Sequence, residues 1–116
     1  MNFEKEINKI NINIQSNQLN EAMRNCNHLI KKFPKNSYIY NLGGLILQRG
    51  LKIKKSIDYF RKSLELDSHN DAAKNNLANS YKTIGKFEMA IKLYEEILKN
   101  DNKNIKCLNN YANLKQ

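Results

Sequence analysis

The strongest constraint on this chain is that it repeats itself every 34 residues with nothing inserted or lost between copies. Residues 71–104, DAAKNNLANSYKTIGKFEMAIKLYEEILKNDNKN, are the clearest copy. One period back from Phe87 stands Ile53, and one further back Leu19. The same step joins Ala90, Ser56 and Ala22, then Ile91, Ile57 and Met23, then Tyr94, Phe60 and Cys26. It also joins Leu98, Leu64 and Ile30, and it carries Gly44 to Ala78 and Ala112. Within the copy, Ala73, Leu77, Ala78 and Tyr81 recur at helical spacing, as do Phe87, Ala90, Ile91, Tyr94, Ile97 and Leu98 after them. Gly85 parts the two stretches and can take the positive φ that ends a helix. Each unit is therefore an antiparallel pair of amphipathic helices. Such a pair cannot cover its own apolar face, so the units must stack into a helical array.

The period sets units at 3–36, 37–70 and 71–104, with a partial fourth at 105–116, all in one domain. In the first, Phe3, Ile7, Ile10 and Ile14 form a helical stripe, although Ile10, Ile12 and Ile14 also alternate as a strand would. The helix is preferred because Leu19, Ala22, Met23, Cys26, Leu29 and Ile30 on the next helix need a helical partner. Asn17 stands at the turn-glycine place and tolerates the left-handed conformation. Asn36, Asn70 and Asn104 each precede an odd-numbered helix, where a carboxamide oxygen can cap the first turn. Adjacent glycines at 43 and 44 weaken their helix by up to ~2 kcal/mol. Gly44 fills a small-residue place that admits close helix approach, whereas Gly43 has no reason legible in the sequence. In residues 105–116, Leu108, Tyr111 and Ala112 line a face with only the third unit to pack on. That bare end is expected to mark a fragment or a contact with another protein, self-association included.

Charge and chemistry narrow the function. The formal net charge is +9, but the lysines are scattered and only three arginines are present, so nucleic acid is a minor expectation. Cys26 and Cys107 are read as free thiols in a reducing compartment. The start, MNFEKEINKI, has no unbroken apolar run, and no stretch reaches transmembrane length, so a cytoplasmic protein is expected. His28 and His69 lack neighbours at ligand spacing, so no metal or other cofactor is expected. No buried acid–base pair or phosphate loop is apparent, and the chain is not expected to be an enzyme.

With small residues at 44, 78 and 112, small residues at 22, 56 and 90, and aromatics at 60 and 94, the chain resembles a tetratricopeptide repeat (TPR) protein over residues 3–116. Cys26 departs from the aromatic place, Lys9 and Asn13 depart from apolar ones, and Pro34 alone supplies the closing proline. The resemblance implies an all-α, right-handed α-solenoid of antiparallel helix pairs, about seven helices in all. It also implies a concave groove lined by the first helix of each unit, serving as a protein- or peptide-binding scaffold. The groove places are Tyr38, Asn41, Leu45, Gln48 and Arg49, then Ala72, Asn75, Asn79, Lys82 and Thr83, then Lys106, Asn109, Asn113 and Gln116. Asn11 is the first unit's member, with Asn76 and Asn110 beside the row.

A row of carboxamides offers donors and acceptors that match an extended peptide backbone. It is similar to the asparagine ladder of O-GlcNAc transferases, and Arg49, Lys82 and Lys106 would favour an acidic ligand. Replacing Asn75 and Asn79 by alanine is expected to weaken that ligand by roughly 1–3 kcal/mol without unfolding the array. Chaperone-binding TPR domains instead grip a terminal carboxylate with lysine, arginine and asparagine. The corresponding residues here are Ile7, Asn11, Leu42, Ala72 and Asn76, or Asn41, Leu45, Asn76, Lys106 and Asn110. Neither set holds the cations such a clamp needs. Two alternatives stand beside the scaffold. One is the N-terminal assembly or targeting arm of a larger glycosyltransferase- or sulfotransferase-like enzyme. The other is RNA or acidic-surface binding through Lys52, Lys54, Lys55, Arg61, Lys62 and Lys86.

Overall fold

The computed structural model describes residues 2–115, and Met1 and Gln116, the latter a groove candidate, lie outside them. Seven α-helices follow one another along the described residues: α1 Phe3–Gln15, α2 Leu19–Lys32, α3 Ser37–Arg49, α4 Ile53–Leu66, α5 Asp71–Thr83, α6 Phe87–Asn100 and α7 Ile105–Lys115. Each helix packs on the one before and the one after, and α3 also reaches α5, so the units stack into an array of 44 × 25 × 22 Å. The chain is an all-α solenoid of the TPR type.

The opening segment is a helix, as its partner requires. Ile7 and Ile10 are buried against α2, while Ile12, the residue that completes the strand-like alternation, is exposed. Lys9 points outward, and Asn13 is buried but satisfied. Its Nδ2 donates to Gln18 Oε1 at 3.2 Å, and its Oδ1 accepts from Asn25 Nδ2 at 3.0 Å.

Asn36, Asn70 and Asn104 cap α3, α5 and α7, each accepting from a backbone N–H three residues on. Asn2, one period before Asn36, does the same for α1 through Lys5 N–H. All three turns inside the hairpins close alike. The amides of Gln18, Lys52 and Lys86 donate five residues back, to Asn13, Leu47 and Tyr81. The residue before each amide is left-handed: Asn17 at φ 58°, Leu51 at φ 63° and Gly85 at φ 82°. In the middle hairpin the glycine stands one place early, so leucine takes the left-handed position.

The two helical glycines have one purpose. A Cβ on Gly44 would lie 2.3 Å from the Phe60 ring, and one on Gly43 would lie 2.8 Å from the Tyr59 ring. Their absence lets α4 seat both rings against the α3 backbone. The core forms two clusters, one among α1–α3 around Ile10, Cys26, Leu29 and Ile39, the other among α4–α7 around Phe60, Leu77, Tyr94 and Ile97. Both cysteines are free and buried, each thiol donating to a carbonyl: Cys26 to Ile39, Cys107 to Tyr94. No helix among the described residues is long and apolar enough to cross a membrane.

Candidate functional site

Two matching hydrogen bonds tie the first helices of units two, three and four. Asn76 Nδ2 donates to Asn41 Oδ1 at 3.0 Å, linking α5 to α3. Asn110 Nδ2 donates to Asn75 Oδ1 at 3.2 Å, linking α7 to α5. Both rungs join residues 35 apart, one more than the repeat period. Between α1 and α3 the same places hold Ile7 and Leu42, members of one apolar cluster. Asn41 and Asn75 are consequently almost wholly buried, at 7% and 9% exposure.

A rung uses half of each carboxamide. The Nδ2 groups of Asn41 and Asn75 and the Oδ1 atoms of Asn76 and Asn110 have no partner among the described residues. No buried side-chain polar atom among those residues lacks one, so each of these four atoms keeps some contact with solvent.

The remaining candidates divide by what already holds them. Gln48 turns inward, and its Nε2 donates to the Asn76 carbonyl at 3.2 Å and to Ser80 Oγ at 2.9 Å. Ser80 Oγ in turn hydrogen-bonds Ser56 Oγ, 2.8 Å away, inside the core. Asn79 accepts from the hydroxyl of Tyr94, whose ring is fully buried. Burial, with Cys107 beside it, pushes that phenol up to about 12. One unit earlier the buried aromatic is Phe60, which has no hydroxyl, and Leu45 stands where Asn79 would. Asn75 and Asn79 thus carry internal bonds, and replacing them touches stability as well as any ligand. Tyr38 is half exposed, and Arg49, Lys106, Asn109 and Asn113 are exposed, with Lys82 partly so.

A cleft of about 320 Å³ is lined by Asn41, Leu45, Asp71, Ala72, Asn75, Asn76, Asn104 and Lys106. Tyr38, Gln48, Arg49, Asn79, Lys82, Asn109 and Asn113 lie outside it. Asp71 faces Lys74 Nζ at 3.9 Å, and that ammonium also meets Glu96 at 3.9 Å. Lys106 has no carboxylate at ion-pair distance among the described residues, so the cleft's cation is uncompensated. Asp71 escaped the sequence reading, although it directly follows the Asn70 cap. No group of three or more His, Cys, Asp or Glu residues that could hold a metal ion occurs among the described residues.

Stacked helical hairpins with a polar row along their first helices define a repeat scaffold. The chain belongs to the tetratricopeptide-repeat family: residues 4–113 match the family described as "Psidin, N-terminal TPR repeats region". No curated protein sequence matches the chain. Solved structures share the fold. The first TPR of Spaghetti (RPAP3), bound to the HSP90 peptide SRMEEVD, superposes with a TM-score of 0.90 at 18% identity, over 100% of this chain and 94% of that one. The Arabidopsis OM64 TPR domain gives 0.90 at 16% identity, over 97% and 93%. The second TPR domain of human RPAP3, in complex with the HSP70 peptide SGPTIEEVD, gives 0.88 at 14% identity, over 96% and 92%.

Proposed function

We propose that the chain is a peptide-binding scaffold that holds an extended, acidic segment along α3, α5 and α7. The observation that carries this reading is the pair of asparagine rungs. Each leaves a carboxamide donor and an acceptor without a protein partner, Asn41, Asn75 and Asn76 share a cleft with Lys106, and together they suit a peptide backbone with acidic side chains. Leu45 and Tyr38 add apolar contact. Outside the cleft, Asn109 and Asn113 extend the polar row, while Arg49 and Lys82 add positive charge near it. Two of the neighbours bind chaperone peptides ending in EEVD, which is in keeping with an acidic ligand. Of the five clamp places, the frame from the first unit fills only Asn11 suitably and the frame from the second only Asn76 and Lys106, so the ligand is held by its backbone and not by a terminal carboxylate.

The test uses the first inter-unit contact as a template. Replacing the rung by the apolar pair found there, Asn41→Ile with Asn76→Leu, keeps the array folded and removes the open amides. Peptides selected from a random acidic library should lose about 1–3 kcal/mol of affinity for this variant, measured by calorimetry. They should bind equally well as free acids and as C-terminal amides. Full affinity in the rung-free variant, with the fold intact by circular dichroism, would discard the groove.

The exposed face of α7, with Ile105 at 72% and Leu108 at 42% exposure, is where copies of the chain would associate. Sedimentation that depends on concentration, and ceases to do so in Leu108→Glu, is the expected result.

A further inference from the structure

At the far end of α5 from the asparagine cleft, a second recess opens on the side of the even-numbered helices. About nine residues of helix, ~13 Å, separate Asn75 from Ile84. This notch, about 370 Å³, lies between α4, the last turn of α5 and the first turn of α6. Ile57, Ile84 and Met89 are its aliphatic lining, and Lys54, Arg61 and Lys86 line it with them. Ile84 and Met89 are 37% and 45% exposed. None of the three cations is within ion-pair distance of a carboxylate among the described residues. Tyr81 contributes its ring, and its hydroxyl has no protein partner among those residues.

The repeat supplies its own comparison. One period earlier, between the first and second units, the equivalent recess holds about 140 Å³. Asn20 lines it where Lys54 lines the larger notch, Gly50 stands at the place of Ile84, and Lys52 is its lining cation. Stacking two hairpins therefore makes a small recess by itself. Enlargement, the exposed aliphatic side chains and the three unpaired charges are particular to the junction of units two and three.

We propose that this notch is a second docking site, taking a short acidic peptide segment that carries one aliphatic anchor. The anchor would sit on Ile57, Ile84 and Met89, and flanking carboxylates would meet Lys54, Arg61 and Lys86. The complementarity is of charge and of surface type together. Bases of a nucleic-acid strand bind by stacking on an open aromatic face, and the one ring that lines the notch, Tyr81, is buried at 6% exposure.

The probe is a pentapeptide of two glutamates, one leucine and two glutamates, fluorescein-labelled at its N-terminus and amidated at its C-terminus. Titrated into the isotopically labelled chain, it should shift the amides of Ile57, Ile84, Lys86 and Met89. Substituting alanine for its leucine, or using the protein variant Arg61→Glu with Lys86→Glu, should each weaken binding about tenfold or more. The variant Asn41→Ile with Asn76→Leu should bind the probe as the natural chain does, which separates this site from the groove. Equal affinity for the leucine and alanine probes would overturn the proposal. So would shifts confined to α3, α5 and α7, or tighter binding of an oligouridylate than of the peptide at the same amides.

Discussion

Leu51 shows where a single residue is placed against its own preference. A left-handed leucine is strained by roughly 1–2 kcal/mol, and glycine, though free of that strain, loses more entropy on folding. With its side chain 82% exposed, Leu51 gains little packing in return. Leu51→Asn should therefore raise stability by about 1 kcal/mol and the melting temperature by several degrees. Scanning calorimetry checks this, and an unchanged or lower melting temperature would refute it. Gly85 and Asn17 were legible as left-handed residues from the repeat alone, but Gly50 points to the wrong position because the turn starts one residue later than its glycine. The Asn2 cap was legible in principle, one period before Asn36. Gly43 was not, because the ring it admits comes from the facing helix. Gly44→Ala should destabilise by about 1–3 kcal/mol, since Phe60 is fully buried and has nowhere to go. Gly43→Ala should cost less than Gly44→Ala, because the partly exposed Tyr59 can swing and the helix gains about 1 kcal/mol of propensity, against a Cys26 Sγ 3.3 Å from the new Cβ. Urea melts of the two variants should rank in that order. The buried Cys26 thiol gives a pH signature. Burial raises it from 9.0 to about 12, so the unfolded chain releases this proton first as pH rises. Stability should hold below pH 9 and fall by roughly 1–2 kcal/mol by about pH 10.5, and Cys26→Ala should flatten that fall.

At the scale of helices, the decisive contacts are those the period alone cannot reveal. A step of 34 residues predicts which residues are alike, and the TPR resemblance implies a row of asparagines along the first helices. The rungs run at 35, however, because helices of neighbouring units meet one residue out of register. Asn76 and Asn110 therefore read in the sequence as lying beside the row, Asn76 as a groove residue, while being the donors that tie α5 and α7 down. Likewise Asn79 reads as a groove residue until its bond to Tyr94 is seen. These bonds are testable as a thermodynamic cycle. Asn41→Ala and Asn76→Ala should each cost about 1–2 kcal/mol, and the double variant should cost less than their sum by about 0.5–1.5 kcal/mol. Strict additivity in denaturant melts would mean that the rung contributes no coupling. The apolar replacement, Asn41→Ile with Asn76→Leu, should be close to neutral, as Ile7 and Leu42 already perform that contact in the first pair of units.

Over the whole molecule, stability is carried between neighbours and not by a single centre. Each helix touches mainly the two beside it in sequence, so local opening should spread from the ends inward. The ends differ in kind. At the first, α1 gives Ile7 and Ile10 to a cluster that reaches only as far as α3. At the other, α7 is held by Cys107, by the Asn110 rung and by Tyr111, stacked on Tyr94 at 6.4 Å. Between them, α3 and α4 are locked by the ring contacts at Gly43 and Gly44, and α4 joins the larger cluster through Ile57 and Phe60. Native-state hydrogen exchange should therefore rank α4 and α5 as most protected and α1 and α7 as least. Ile10→Ala, which empties the buried centre of the first contact, should cost about 2–4 kcal/mol. That loss should appear as faster exchange in α1 and α2, with the slowest amides of α5 and α6 little changed. If exchange in all seven helices accelerated together, the array would be one cooperative block. The groove and the notch would then stand or fall with the first unit instead of resting on the second and third.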